Sequence, residues 1–270
     1  MIRLRVLGGF SLLLEGTGAP VPALRSRVLA LLTLLVGHRS EGISRDKLLA
    51  YLWPDSDSVH ARNSLKQALF SLRHALDCRL LISGSGFLRL ECSAADVDLW
   101  EFESALAAGK ETLAVSLYEG PFLDGFYVTG LAEFERWVDA KRQRLAHQYS
   151  QTLSALAVRA DRSGDRDSAV AWWRQLAAAE SLSAIPALGL MRALQAAGDP
   201  TGALDHGRKH VAMVESELGA PASDEIRALM RRLVFQGRTP KPIRRSRLQL
   251  LRHPAPDVAR TPPAEPVSAS

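Results

Sequence analysis

The sequence predicts a mainly α-helical protein with two folded regions, of which only the first contains β-strands. Short apolar runs broken by glycines occur at the amino terminus and again near residue 85, as in short strands. Elsewhere the apolar residues recur every three or four positions, which is the period of a helix. From about residue 95, alanine, leucine and charged residues dominate, and this composition favours helices.

The bulk composition is typical of a cytoplasmic globular protein. Of the 270 residues, 47% are hydrophobic and 23% are charged, which allows two domains to bury a core each. The two cysteines, Cys78 and Cys92, lack the close spacing of a redox or zinc pair. The apolar run from Val28 to Val36 is too short to cross a membrane, and strand-like sequence precedes it instead of a signal peptide. We therefore expect a cytoplasmic protein without membrane contact, metal ion or cofactor.

Charge is distributed unevenly along the chain. Lys and Arg outnumber Asp and Glu by 12 to 8 in residues 1–97 and by 7 to 2 in residues 237–270, whereas residues 98–236 carry 15 against 19. Basic segments favour polyanions such as nucleic acid, because cations neutralise phosphates and release counterions. A solvated surface has a similar composition, so charge alone leaves both interpretations open.

The strands of the first region are predicted at its two ends. The opening IRLRVLGGFSLLLEG predicts two or more short strands that are separated at Gly8 and Gly9. The later string LLISGSGFLRL predicts a hairpin with a glycine-containing turn.

Three helices are predicted between these strands. The first runs from Leu24 to Val36, and the second runs from Arg45 to Leu52 with Ser44 as its N-cap. Pro54 ends the second helix, and a longer third helix runs from Ser58 to Leu76. Strands, three helices and a terminal hairpin are the components of a winged helix-turn-helix domain, in which the hairpin is the wing.

The predicted third helix has two chemically different faces. Placing residues 100° apart gathers Leu65, Leu69, Leu72 and Leu76 in one sector, which predicts a buried stripe. The opposite sector carries Arg62, Asn63, Lys66, Gln67, Phe70, Arg73 and His74. Arg and Lys bind guanine or phosphate, Asn and Gln bind adenine edges, and an apolar group contacts thymine methyls. This face suits the DNA major groove, although a solvated amphipathic helix has the same pattern and Phe70 also suits the underside of the wing.

The string LLAYLWPDSDSVHARNSLKQALFSLRHAL resembles the second and third helices of the winged-helix domain in Streptomyces antibiotic regulatory proteins. The resemblance implies an OmpR-type arrangement, with the third helix in the major groove and the hairpin against the minor groove or the backbone. The DNA-facing residues that it implies are Arg62, Asn63, Lys66, Gln67, Arg73 and His74, with Arg89 on the wing. We assign Trp53 and Pro54 to packing and helix termination rather than to DNA contact.

An internal repeat is visible in the second region. The segment SGDRDSAVAWW recurs 34 residues later as AGDPTGALDHG, so that Gly164, Asp165 and Ala169 are matched by Gly198, Asp199 and Ala203. This period is the length of a tetratricopeptide repeat, whose helix pairs stack into a curved surface suited to peptides, partner domains or another copy of the chain. We expect the large aromatics of this region, Trp137, Trp172 and Trp173, to belong to the core rather than to a groove.

Five further strings resemble, in order, the bacterial transcriptional activator domain: DVDLWEFESAL, LYEGPFLDGF, EFERWVDAKRQRL, LMRALQAAGD and ESELGAPASDE. The predicted fold is therefore mainly α, with a winged helix-turn-helix domain in residues 1–94 that carries small β-sheets and a wing hairpin. An all-α, tetratricopeptide-like repeat domain follows in residues 95–236. Residues 237–270 are rich in Pro and Arg and are predicted to form a disordered basic tail.

These resemblances imply a sequence-specific transcriptional regulator that binds double-stranded DNA and acts as an activator. The helical domain is expected to form a homodimer, to contact RNA polymerase or to sense a partner. We do not expect an enzyme, because the chain lacks a G-x-x-x-x-G-K-[ST] phosphate loop and the H-E-x-x-H and G-x-S-x-G motifs. The alternative is a protein-interaction scaffold whose winged helix no longer reads DNA. The polar face of the third helix favours the regulator.

Overall fold

The computed structural model describes residues 2–14, 24–76, 81–83, 86–91 and 95–238. Both cysteines and the predicted tail beyond Arg238 lie outside these residues. In the part of the chain that is described, no helix is long and apolar enough to cross a membrane.

The amino-terminal region, over its described residues, contains the predicted strands, three helices and hairpin, together with two short strands, Ile43–Ser44 and Ala95–Val97, that the sequence analysis did not predict. In chain order, its elements are β1 (Ile2–Arg5), β2 (Ser11–Leu14), α1 (Ser26–Gly37), β3 (Ile43–Ser44), α2 (Arg45–Leu52), α3 (Ser58–Ala75), β4 (Leu81–Ser83), β5 (Phe87–Glu91) and β6 (Ala95–Val97). Strand β1 pairs antiparallel with β2 and parallel with β6. Strand β5 lies between β3 and β4, and the antiparallel β4–β5 pair is the predicted wing hairpin.

Local sequence explains the helix boundaries well. Helix α2 has the predicted bounds, because Ser44 Oγ accepts a hydrogen bond from Lys47 N at 3.2 Å and caps the first turn. Helix α1 begins two residues later than predicted, since Arg25 has an extended backbone at φ −62° and ψ 145°. Trp53, 8% exposed, follows the last residue of α2 and packs in the core, so its predicted packing role is confirmed.

In the carboxyl-terminal region, the regular secondary structure of the described residues is helical, apart from isolated bridges at Phe122. Its helices are α4 (Asp98–Ala107), α5 (Glu111–Leu117), α6 (Ala132–Ser163), α7 (Arg166–Ala179), α8 (Ala184–Ala196), α9 (Pro200–Leu218) and α10 (Asp224–Arg238). From α6 onwards each helix packs against the next one. Trp173 is buried, and Trp137 and Trp172 are partly buried against the two cores, as the sequence predicted.

The 34-residue repeat corresponds to a repeated turn. Gly164 ends α6 at φ 75° and Gly198 precedes α9 at φ 86°, a left-handed conformation that favours glycine. The next residue caps the following helix in both copies: Asp165 accepts from Ser168 N at 3.1 Å, and Asp199 accepts from Gly202 N at 2.8 Å. The repeat therefore preserves the turn, and the two matched alanines that follow it are both buried.

Helix α6 joins two hydrophobic cores. Its first half, including Phe134, Val138 and Leu145, belongs to a core shared with the strands and helices of the amino-terminal region. Its second half, from Leu153, belongs to the core of α7 to α10. With 32 residues, the helix is about 48 Å long. The domain boundary at residues 94 and 95 stays a prediction, but the first core continues across it.

The end of α1 fits closely against the helical region. Trp100 Nε1 donates a hydrogen bond to the Val36 carbonyl at 3.0 Å. The ring of Trp137 covers Gly37, where a Cβ atom would lie 2.5 Å from Trp137 Cζ2. Because real Cβ atoms do not approach so closely, a glycine is required for this contact.

A buried carboxylate connects the end of β1 to the start of α4. Asp98 is 3% exposed, and its oxygens accept hydrogen bonds from Val6 N at 3.0 and 2.9 Å, Leu7 N at 2.9 Å and Leu99 N at 2.7 Å. Burial raises the pKa of Asp98 above its ordinary value of 3.8, and the three N–H donors oppose this shift. The first strand and the first helix of the helical region are thus tied through one side chain.

Replacing Asp98 by Ala is expected to lower the free energy of unfolding by about 3 kcal/mol, because each buried N–H left without an acceptor costs roughly 1–3 kcal/mol. Urea unfolding of the full chain measures this change. The matched control is Glu101→Ala in the same helix, whose side chain is 50% exposed. Equal losses in the two variants would contradict the structural role of Asp98.

The raised pKa of Asp98 also predicts a pH dependence of stability. Because the folded protein holds the proton more tightly than the unfolded chain, the contribution of this group is fully present below pH 3.8 and is lost as the pH rises through the folded pKa. Asp98→Asn cannot titrate. The free energy of unfolding of the wild type, relative to that of Asp98→Asn, is therefore expected to fall with rising pH in this interval. Urea titrations across the interval measure the difference, and a constant difference would refute the shift.

Candidate nucleic-acid interface

Helix α3 has a fixed start because Asp57 caps its first turn. The Asp57 carboxylate accepts hydrogen bonds from His60 N and Val59 N, each at 3.0 Å. The bonds from His60, and then the bond from Val59, lower the pKa of Asp57, so that the cap is ionised at neutral pH. A negative charge at a helix N-terminus is favourable. The cap therefore fixes the residue at which α3 begins.

The apolar stripe of α3 is buried, as the sequence predicted. Leu65, Leu69 and Leu72 are at most 5% exposed, and Leu76, the residue after the helix, is fully buried. Ala61 and Ala68 on the same side are also buried. This packing against the first core leaves the opposite face of the helix outward.

The outward face carries every residue of α3 that the sequence predicts to contact DNA. The side chains that are exposed there are Arg62, Asn63, Lys66, Gln67, Arg73 and His74. Phe70 lies among them with 72% of its surface exposed, so it is not buried beneath the wing. Its ring is parallel to that of His74, with 6.3 Å between the ring centroids. The structure therefore brings these groups onto one surface, while their contact with DNA stays a prediction.

A cleft beside this face contains two arginines that the sequence analysis did not single out. Arg25 and Arg27, at the start of α1, line it together with Lys66, Gln67 and Phe70 of α3. Its volume is about 780 Å³. The only sequence signal was the basic pair in the string LRSR, which by itself does not indicate a neighbouring helix. We name this surface, formed by Arg25, Arg27 and the exposed face of α3, the cationic face.

The cationic face has the chemistry of a polyanion site. Three cations line the cleft, and its lining within the described residues contains no Asp or Glu. Exposed cations attract phosphates, the amides of Asn63 and Gln67 can pair with base edges, and Phe70 offers an apolar contact. No group of three or more His, Cys, Asp or Glu residues could hold a metal ion in the described ranges.

Arg89 lies on a different element from the other predicted contacts. It is exposed on β5, and its Nη2 atom donates to the Glu41 carbonyl at 3.4 Å. Glu41 lies in the turn between α1, which ends at Gly37, and β3, which begins at Ile43. This hydrogen bond ties the wing to the turn after α1. The DNA contact predicted for Arg89 is independent of the contacts predicted for α3, and it stays a prediction.

The chain is similar to known proteins in both of its regions. A family model described as bacterial transcriptional activator domain matches residues 87–234. A solved structure, Mycobacterium tuberculosis EmbR in complex with low affinity phosphopeptide, aligns with a TM-score of 0.59 and 21% sequence identity. The alignment covers 87% of this chain and 65% of that chain, so the present chain spans about two thirds of the EmbR length. No curated protein matches the sequence. The structural likeness confirms the predicted fold.

Neighbouring residues on the two faces of α3 are expected to differ sharply in their effect on stability. Leu69→Ala should lower the free energy of unfolding by about 2–5 kcal/mol, because Leu69 is 5% exposed. Phe70→Ala should change it by less than about 0.5 kcal/mol, because Phe70 is 72% exposed. Urea unfolding of both variants tests this contrast. A large loss in Phe70→Ala would show that its ring has a structural partner.

Proposed function

The chain belongs to the bacterial transcriptional activator domain family, and we propose that it is a sequence-specific DNA-binding regulator of transcription that acts as an activator. In this proposal α3 enters the major groove, and the cationic face is turned toward the DNA. Arg62, Lys66 and Arg73 supply charge, and Asn63, Gln67 and His74 supply polar contacts to base edges or phosphates. No catalytic step is assigned to the chain.

The observation that carries the proposal is the concentration of cations, amides and one exposed aromatic ring on a single surface. An amphipathic helix that is only solvated needs no apolar ring among its polar groups, because exposing a large ring to water is unfavourable. Phe70 stands among these groups, 72% exposed. Arg25 and Arg27 add positive charge from a second helix, which broadens the surface toward the phosphates beside a groove.

We assign partner contact to the helical domain, through dimerisation or through RNA polymerase. Stacked helix pairs present extended surfaces that suit protein partners. The helices α6 to α10 form such a stack, and α6 connects it to the core beneath α3. A partner bound to the stack would therefore be held close to the DNA that α3 reads. The phosphopeptide in the EmbR structure is a ligand of EmbR, and we do not transfer it to this chain.

The decisive experiment is selection from random DNA duplexes at two salt concentrations. The full chain is compared with a variant that combines Arg62→Ala, Lys66→Ala and Arg73→Ala. The matched control combines Arg162→Ala, Arg166→Ala and Arg192→Ala, three exposed arginines of the helical region, so that the net charge changes equally. Circular dichroism and urea unfolding verify that both variants are folded.

We expect the wild type and the control to enrich one sequence motif and the α3 variant to lose it. Each base-reading contact is worth about 1–3 kcal/mol, and each lost phosphate contact lowers the salt slope by about 0.9. Weak, salt-sensitive binding without a motif, equal in all three proteins, would contradict DNA reading by α3. It would favour instead the scaffold in which the helical domain carries the function.

A further inference from the structure

An apolar groove lies between the last two helices of the described chain. Leu204 and Val211 form its α9 side, and Met230, Val234 and Phe235 form its α10 side. The groove has a volume of about 580 Å³, within the range of roughly 300–1,000 Å³ that is typical of ligand-binding pockets. Val234 is 40% exposed and Phe235 is 72% exposed. Apolar surface of this kind, rimmed by polar groups, marks interaction sites.

The groove is the open side of the α9–α10 contact: Leu204, Val211 and Met230 also pack against the second core, whereas Val234 and Phe235 lie outside it. Ile226, Leu229 and Leu233 of α10 are buried in the second core, as is Ala203 of α9. Met230 and Val234 each follow a buried leucine of α10 directly, and they line the open side of the helix pair. Val234 and Phe235 therefore extend the apolar surface of α10 beyond the residues that pack against the second core.

Three arginines line the edge of this groove: Arg208 on α9, with Arg227 and Arg231 on α10. Of these, only Arg227 forms an ion pair with a described residue, Asp224, at 2.8 Å. Arg208 and Arg231 are exposed. No Asp or Glu is among the described residues that line the groove. A ligand that fits must present apolar groups to the floor and negative charge to the rim.

The charges of the chain itself disfavour two other occupants. Residues 237–270, which include the chain that follows α10, contain seven Lys and Arg against two Asp and Glu, so this segment would meet the arginines with like charge. A second copy that docked symmetrically through this groove would bring a second set of the same three arginines to an interface whose described lining has no Asp or Glu, and like charges across an interface are unfavourable. Complementarity therefore points to a different protein.

We infer that the groove between α9 and α10 binds an acidic amphipathic helix of a partner protein. The apolar side chains of that helix, spaced at i, i+3, i+4 and i+7, enter the floor between Val211 and Phe235, and its carboxylates meet Arg208 and Arg231. The inference rests on the proposed use of the helical domain for partner contact. It does not depend on DNA reading by α3, and it names the site and the chemistry of the partner.

The test is a selection of peptides by the full chain in the absence of DNA. The probe is a display library of randomised peptides about four helical turns long, in a helix-favouring background. Enriched peptides are synthesised, and their affinities are measured by fluorescence anisotropy. The groove variants are Phe235→Glu and the pair Arg208→Glu with Arg231→Glu. The matched controls are Ile185→Glu, whose side chain is 73% exposed, and the exposed pair Arg166→Glu with Arg192→Glu.

We expect the enriched peptides to be acidic and amphipathic, and each groove variant to weaken their binding by at least about tenfold while the controls do not. Higher salt should also weaken binding, because the arginines are exposed. Urea unfolding verifies that the variants are folded. Duplex binding by Phe235→Glu should equal that of the wild type, so loss of peptide binding is separable from loss of DNA reading.

Several outcomes would overturn the inference. Enrichment of neutral or basic peptides, or of peptides whose affinity is equal in wild type and groove variants, would show that the groove does not select acidic helices. The absence of any enriched peptide would do the same. Binding of a synthetic peptide with the sequence IRRSRLQLLRH, lost in Phe235→Glu, would assign the groove to the tail of this chain. A concentration-dependent dimer that Phe235→Glu dissociates in sedimentation would assign it to a second copy.

Discussion

A buried carboxylate joins the amino-terminal strand to the helical region. Asp98 accepts hydrogen bonds from Val6 and Leu7, which precede it by 92 and 91 residues, and from its own neighbour Leu99. Hydrogen bonds also hold the loop before α6 against Val6, one of the residues that donate to Asp98. Leu123 N donates to the Val6 carbonyl at 2.7 Å, and Arg142 donates to the carbonyls of Phe122 and Leu123 at 2.7 Å each. Leu123 has a left-handed backbone at φ 51°, a conformation that persists only where its surroundings hold it.

Helix α6 extends this constraint along the molecule. In the first third of α6, Lys141 is 7% exposed, and burial lowers its pKa although the pairing with Glu103 at 3.0 Å opposes the shift. Arg144 contacts the same Glu103 oxygen at 3.1 Å. A buried ammonium without a partner is strongly unfavourable, so this cluster fixes how α4 lies on α6. The half of α6 that contains this cluster packs in the first core, and the second half, from Leu153, belongs to the helical stack.

This arrangement separates the surface proposed to bind DNA from the surface proposed to bind a partner. The cationic face is carried by α1 and α3 on the first core, and the apolar groove is carried by α9 and α10 on the second core. Because α6 contributes to both cores, each surface has a rigid support, and the supports are continuous. Exposed residues of either surface, such as Lys66 and Arg231, can therefore be exchanged without altering the core beneath the other surface. The aromatic rings of Phe70 and Phe235 are both exposed. Neither ring belongs to a core, so their exposure leaves the packing of both cores complete.

The sequence by itself determined the elements that depend on residues a few positions apart. The cap at Ser44, the buried leucine stripe of α3 and the paired turns at Gly164 and Gly198 have local causes, and periodicity and capping chemistry express them directly. The six polar residues of α3 followed from the same periodicity. Only the tertiary structure showed Arg25 beside Lys66, the groove between α9 and α10, and the hydrogen bonds of Asp98. These features arise where segments distant in sequence pack together, and no local spacing of residues encodes which segments will meet.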